Sequence, residues 1–193
     1  MATAKATESI LRKIEMCFII GCENNYFVLM KRELILIRHT KSSWTDFGLR
    51  DFDRPLKKER TDDAKNMAKH LKELGVTPDL ILCSPALRTK QTVEFFCDKL
   101  NSDYNNIEFD MRLYESSAED YTQVVRETDE KIKTLVVVGH NPSITDFANQ
   151  FLQSKISEVP TTGVILLEFE SDNWEIYRAT PCKLKYFLTP KTI

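Results

Sequence analysis

The chain has 193 residues, with 27 Lys and Arg against 29 Asp and Glu and a formal net charge of −2. That length fits one domain with a substantial core, and the charge balance gives no general attraction to nucleic acid or to an anionic membrane. Five cysteines, at 17, 22, 83, 97 and 182, form an odd set without CxxC spacing, which argues against a disulfide framework or a zinc site and for reduced thiols in a cytoplasmic protein.

Residues 1–29 read as an N-terminal extension, distinct from a domain spanning 30–193. Thr7 to Arg12 could open a short helix, and Met16 to Cys22 is an apolar run too short to span a bilayer. Glu8 and Glu15 argue against a transit peptide. The other reading of this segment is a docking helix that covers an apolar patch on the body.

The run Leu34-Ile35-Leu36-Ile37, followed by Arg38-His39-Thr40, predicts a strand covered on both faces, as in a parallel sheet. In such sheets the chain leaves the carboxyl end of a strand into the crevice where ligands bind. An Arg and a His delivered there suit an anion, with phosphate the best fit. Ala64, Met67, Ala68, Leu71 and Leu74 then mark one face of a helix ended by Gly75. A second strand at 79–83 runs into Ser84-Pro85-Ala86-Leu87-Arg88. This puts Arg88 in the first turn of a helix, where free N–H groups and the dipole already favour an anion.

That helix carries Thr89, Val93, Phe96, Cys97 and Leu100 on one side. Residues 101–106 are polar turn material, 107–109 a short strand and 118–128 helical. Strand 134–138 leads through Gly139-His140-Asn141-Pro142 to a helix starting near Ser143. Two final strands, about 164–170 and 174–178, flank Ser171-Asp172-Asn173 as a hairpin turn. The alternation predicts a three-layer α/β/α domain with a mostly parallel central sheet.

Three strands thus end in Arg38/His39, Arg88 and His140, and the chain has only three histidines. A lone histidine after a strand is most often structural; the combination with arginines points to phosphoryl chemistry. Arginines rather than carboxylates beside the histidines argue against a hard-cation phosphohydrolase. His70, between lysines, reads as solvated. Asp51, Asp53 and Arg54 read either as a loop ion-pair cluster or as substrate contacts. Trp44 and Phe47 either line the pocket mouth or pin their loop.

The segments Leu34 to His39, Lys41-Ser42-Ser43-Trp44, Asp51 to Leu56, Ser84 to Thr92 and Val138 to Pro142 occur in an order that resembles the histidine phosphatase superfamily. This is the group of phosphoglycerate mutase-like enzymes, and the likeness is to its SixA-type phosphohistidine phosphatases. It covers roughly residues 30 to 193 and includes Pro160 to Gly163 and Trp174. The resemblance implies a phosphoglycerate mutase-like fold and a catalytic core of four residues. His39 would be the nucleophile that forms a phosphohistidine intermediate. Arg38 and Arg88 would clamp phosphoryl oxygens, and His140 would donate to one of them.

Thr40 stands where the family usually has a small residue, and its hydroxyl is a candidate phosphate contact. Asn141 is a candidate for orienting His140, and Glu115 is the candidate general acid. The implied substrate is a protein phosphorylated on histidine. Small phosphate esters, or phosphate binding without turnover, are the alternatives. No cofactor, metal, nucleic acid or membrane is expected, and the protein is expected to be a cytoplasmic monomer. An imidazole leaving group, with a pKa of about 6.5, needs less acid assistance than an alkoxide.

Overall fold

Strand β1 (Lys31–Arg38) runs through the middle of a six-stranded sheet ordered β3-β2-β4-β1-β5-β6. The others are β2 (Leu80–Cys83), β3 (Ile107–Phe109), β4 (Thr134–Gly139), β5 (Val164–Glu170) and β6 (Cys182–Leu188). The computed structural model describes residues 30–100 and 102–193. The segment 1–29, with its expected helix, and Asn101 lie outside the described residues. Pairings among β1 to β4 are parallel, and β5 and β6 are added antiparallel.

Two helical layers cover the sheet because alternate strand residues face opposite ways. Ile35, Ile37, Val136 and Val138 face α1 (Thr61–Glu73) and α2 (Leu87–Leu100), meeting Ala64, Met67, Leu71, Val93 and Phe96. Leu34, Leu36, Leu135 and Val137 face α3 (Ala118–Arg126) and α4 (Ser143–Ala148), meeting Tyr121, Val125, Ile144 and Phe147. The helix ends follow local chemistry. Gly75 ends α1 in the left-handed region at φ 81°, and Ser117 and Asp120 form a reciprocal capping box at the start of α3. The three-layer, mostly parallel architecture expected from the sequence is the one observed.

The last strand is a correction. Residues 174–178 are not a strand, and β6 begins only at Cys182. Trp174 and Ile176 alternate with polar neighbours like a strand face, yet both are buried in the core on the α3/α4 side. The Trp174 indole N–H donates to the Ile132 carbonyl at 2.9 Å, and the Arg32 guanidinium lies 5.5 Å from its ring centroid. The segment plugs the amino-terminal end of β1. The true edge strand carries the exposed Lys183, Leu184 and Tyr186, and a lysine on an edge discourages further strand pairing.

Among the described residues, Cys83, Cys97 and Cys182 are free thiols, and no helix is long and apolar enough to cross a membrane.

Arg32 is fully buried in that plug. Its guanidinium donates to the carbonyls of Ile132, Asp172 and Glu130, the last at 2.8 Å. Arg32→Leu removes the guanidinium donor from the Glu130 and Asp172 carbonyls, leaves the Ile132 carbonyl with the Trp174 indole alone, and empties a buried site of its hydrogen bonds. It is expected to lower unfolding free energy by about 2–3 kcal/mol in urea denaturation. Lys31→Ala, on the exposed side, should change it by no more than about 0.5 kcal/mol.

Candidate active site

The carboxyl ends of β1, β2 and β4 lie side by side because their register pairs Arg38 with Gly139 and Cys83 with Val138. The exits are fastened to one another. His39 N–H donates to the Gly139 carbonyl at 3.1 Å, Arg38 N–H to the Gly163 carbonyl at 3.1 Å, and Ser84 N–H to the Val138 carbonyl at 3.0 Å. Beneath them Thr92 on α2 accepts the Thr40 N–H at 3.0 Å, which locks the helix to the end of β1.

A cavity of about 270 Å³ opens at these exits, lined by Arg38, His39, Lys41, Ser42, Trp44, Arg54, Arg88 and Thr161. Arg38, His39 and Arg88 are thereby brought together. His140 lies behind the lining, with its ring centroid 5.0 Å from that of His39. Arg54 is the lining cation that the sequence left undecided. It is buried, and donates to Asp51 Oδ1 and Ser42 Oγ, both at 2.7 Å, and to the Ser43 carbonyl at 3.1 Å.

Asp51 is shared. Its Oδ2 accepts from Arg88 at 2.8 Å and from the Tyr114 hydroxyl at 3.1 Å, and its carbonyl accepts a second Arg88 bond at 2.6 Å. Burial works to raise the Asp51 carboxyl, but the bonds from Arg54 and Arg88 hold it below the usual carboxylate range. The ion-pair reading of Asp51 and Arg54 is therefore what the structure shows, and the cluster forms one wall of the cavity. The third guanidinium, Arg38, pairs with Glu158 at 3.1 Å and donates to the Val159 carbonyl at 2.6 Å.

The imidazoles are poised differently. His39 Nδ1 lies 2.7 Å from the Thr40 carbonyl. A carbonyl only accepts, so Nδ1 carries the proton and Nε2 keeps its lone pair. Burial is the main force driving the His39 pKa down to about 4; the Thr40 bond opposes it, and Arg88, Arg38 and Arg54 add to it. Burial, then the neighbouring His39 and Arg88, push His140 down to about 3. His140 Nε2 meets Ser84 Oγ at 2.8 Å, while its Nδ1, like Arg38 Nε, is buried with no partner among the described residues.

Three expected contacts differ. Thr40 is fully buried and its hydroxyl takes a bond from Thr162 at 3.0 Å, so it does not line the cavity. Asn141 does not touch the His140 ring. Its amide spans the Val159 carbonyl at 3.0 Å and the Thr145 hydroxyl at 2.8 Å, and the residue that meets the ring is Ser84. Glu115 is exposed, sits in the left-handed region at φ 49°, and does not line the cavity. Burial, then the hydrogen bond to Asp51 and the neighbouring Glu115 carboxylate, push the Tyr114 hydroxyl up to about 12. Glu115 thus has its carboxylate beside the Tyr114 hydroxyl. Trp44 lines the cavity, whereas Phe47 is 92% exposed on the same loop and does not.

The family model described as histidine phosphatase superfamily (branch 1) matches residues 34–134, and the chain belongs to that superfamily. Its fold is of the SixA type within it. A structure from Agrobacterium tumefaciens, described as a candidate phosphohistidine phosphatase SixA, is 26% identical, superposes with a TM-score of 0.71, and covers 82% of this chain and 98% of that one. The protein histidine phosphatase SixA complexed with tungstate shares the fold at a TM-score of 0.70 and 21% identity, over 82% of this chain and 97% of its own. An uncharacterized chloroplastic protein of Arabidopsis thaliana is 32% identical over 154 residues, 76% of this chain and 70% of that protein. Family and neighbours together support phosphatase activity.

Two measurements test this geometry. A Cβ at residue 139 would stand 1.8 Å from the Tyr121 hydroxyl oxygen, the atom that accepts the His140 N–H at 3.2 Å. Gly139→Ala is therefore expected to cost about 1–3 kcal/mol in stability by overpacking and to shift the His140 ring signals in NMR spectra.

Second, the His39 and His140 ring signals should show no titration near pH 6.5, because their folded values lie near 4 and 3. The unfolded chain binds more protons than the folded one between those values and the unperturbed 6.5, so stability falls as pH drops through that window. A midpoint near 6.5 for either ring would overturn the buried, neutral assignment.

Proposed function

We propose that the protein is a phosphohistidine phosphatase that acts through His39 as nucleophile. The observation that carries this reading is the His39 tautomer. The Thr40 carbonyl at 2.7 Å fixes the proton on Nδ1, which leaves Nε2 as a neutral nucleophile in a cavity edged by Arg38, Arg54 and Arg88.

In the first step the His39 Nε2–P bond forms as the P–N bond to the substrate imidazole breaks; the substrate ring, already protonated from solvent on its other nitrogen, leaves as neutral imidazole. In the second, water attacks phosphorus, the His39–P bond breaks, and inorganic phosphate leaves with the neutral imidazole restored. Arg38, Arg54 and Arg88 bind the phosphoryl oxygens, for which the planar guanidinium fork is well shaped. The unpartnered Nδ1 of His140 and Nε of Arg38 are further donors for them. The cycle draws its positive charge from guanidinium groups and uses no metal.

The preference for phosphohistidine rests on what lines the cavity. Its lining contains no carboxylic acid among the described residues. An alkoxide leaving group depends on a proton donor, typically for about 10²- to 10⁴-fold in rate, whereas a phosphohistidine ring protonated from solvent on its other nitrogen departs as neutral imidazole without an enzymic acid.

His39→Ala is expected to abolish turnover, while Arg88→Ala should lower kcat by about 10²- to 10³-fold, as loss of a charge-stabilising donor does. Rapid quenching with a ³²P-phosphohistidine protein followed by peptide mapping should find the label on His39. Label on another residue, or full activity in His39→Ala, would overturn the mechanism. Faster cleavage of alkyl phosphates than of phosphohistidine would overturn the substrate assignment.

A further inference from the structure

Among the described residues, Trp44 is the one aromatic side chain in the cavity lining other than His39, and it is 64% exposed. One face of its indole is covered, with the Arg54 guanidinium carbon 3.2 Å from the ring centroid. Arg54 is itself immobilised by Asp51, Ser42 and the Ser43 carbonyl. The backbone before it is tied down, through Ser43 N–H to the Pro55 carbonyl at 2.8 Å and a bridge between Ser42 and Leu56, and just after it Thr45 N–H donates to Ser43 Oγ at 3.2 Å. The result is a rigid aromatic shelf at the mouth. Its rear is fixed by a cation, and a large apolar surface is left facing out. The outward face is a flat aromatic surface on which a second ring can stack.

Phosphoryl transfer is in line, so the leaving atom lies opposite the attacking one. With His39 at the strand end, the leaving group points away from β1 and toward the open side of the cavity. The exposed members of the lining there are Lys41 and Trp44. We propose that Trp44 is the leaving-group subsite of this enzyme: a planar ring on the leaving atom, the imidazole of phosphohistidine, stacks on the indole. Aromatic leaving groups are thereby selected over aliphatic ones that carry the same P–N bond. This rests on the phosphohistidine reading above and adds to it the residue that recognises the ring.

Two substrates with identical flanking peptide separate the effects, one carrying phosphohistidine and one phospholysine. Trp44→Ala is expected to lower the ratio of kcat/KM for phosphohistidine over phospholysine by about 2- to 10-fold, the range of an aromatic stacking contact. The loss should appear mainly in KM, and Trp44→Phe should restore most of it. A ratio that stays at the wild-type value would mean that Trp44 only holds Arg54, and would overturn the proposal.

A binding measurement makes the test independent of turnover. Calorimetric titration should show phenylphosphonate binding more tightly than methylphosphonate, with the difference lost in Trp44→Ala. If the wild type binds both equally, or if the phenyl preference survives Trp44→Ala, the shelf does not exist. If no phosphohistidine is cleaved yet the phenyl preference depends on Trp44, the substrate assignment falls while the subsite stands.

Discussion

The parallel register of β1 against β4 is the constraint on which both the core and the candidate site depend. Pairing Arg38 with Gly139 and Leu36 with Val137 places the aliphatic residues of each strand on matching faces and brings both chain exits to one level. A slip of one residue would exchange the two faces of β1. Leu34 and Leu36 would then meet α1 and α2 in place of α3 and α4, and Arg38 would no longer lie beside the His140 turn. The apolar packing that stabilises the sheet is therefore also what brings the His39 and His140 rings to 5.0 Å. Gly139 has no side chain because Tyr121 needs that space to hold the next backbone N–H.

Three guanidinium groups around a small cavity repel one another, and burying them requires partners. The chain answers with two carboxylates placed on the outside. Asp51, 43% exposed, serves Arg54 and Arg88, whose side chains are each only 8% exposed. Glu158, 64% exposed, serves Arg38. Anions at the rim and cations inside keep the guanidinium groups paired while the cavity side stays positive. The same positive field, together with burial, keeps both imidazoles unprotonated. A nucleophilic histidine needs that state in order to attack a phosphoryl group.

Much of this was legible in the sequence, for a local reason. Strand runs such as Leu34 to Ile37 and helical faces such as Ala64 to Leu71 announce themselves through periodicity, and the residues that follow a strand must emerge at its end. Partners across the fold leave no such trace. Ser84 meets His140 across 56 positions of sequence, and Arg54 reaches the cavity through a loop whose path depends on Asp51 and Trp44. Asn141 follows His140 directly, yet the helix entry turns its amide toward Val159. Thr40 shows the same limit: its hydroxyl looked available for phosphate, but Thr162 already occupies it. The error at 174–178 has a different origin. Alternating apolar residues read alike whether they face a sheet neighbour or plug a sheet end, and only the buried Arg32 beneath Trp174 distinguishes the two.

The carboxylates also bear on which leaving groups the site can serve. Asp51 is the acid nearest the arginines, and their hydrogen bonds hold it below the usual carboxylate range, so it enters the reaction already ionised. Glu115 is exposed and outside the lining. Tyr114 keeps its proton, with its hydroxyl pushed up to about 12 and directed at Asp51. Asp51 and Tyr114 are thus committed to the arginine clamp, and Glu115 is not in the cavity lining. A site built in this way stabilises a transferring phosphoryl group well and assists a poor leaving group badly. That asymmetry is the ground on which we propose phosphohistidine as the substrate.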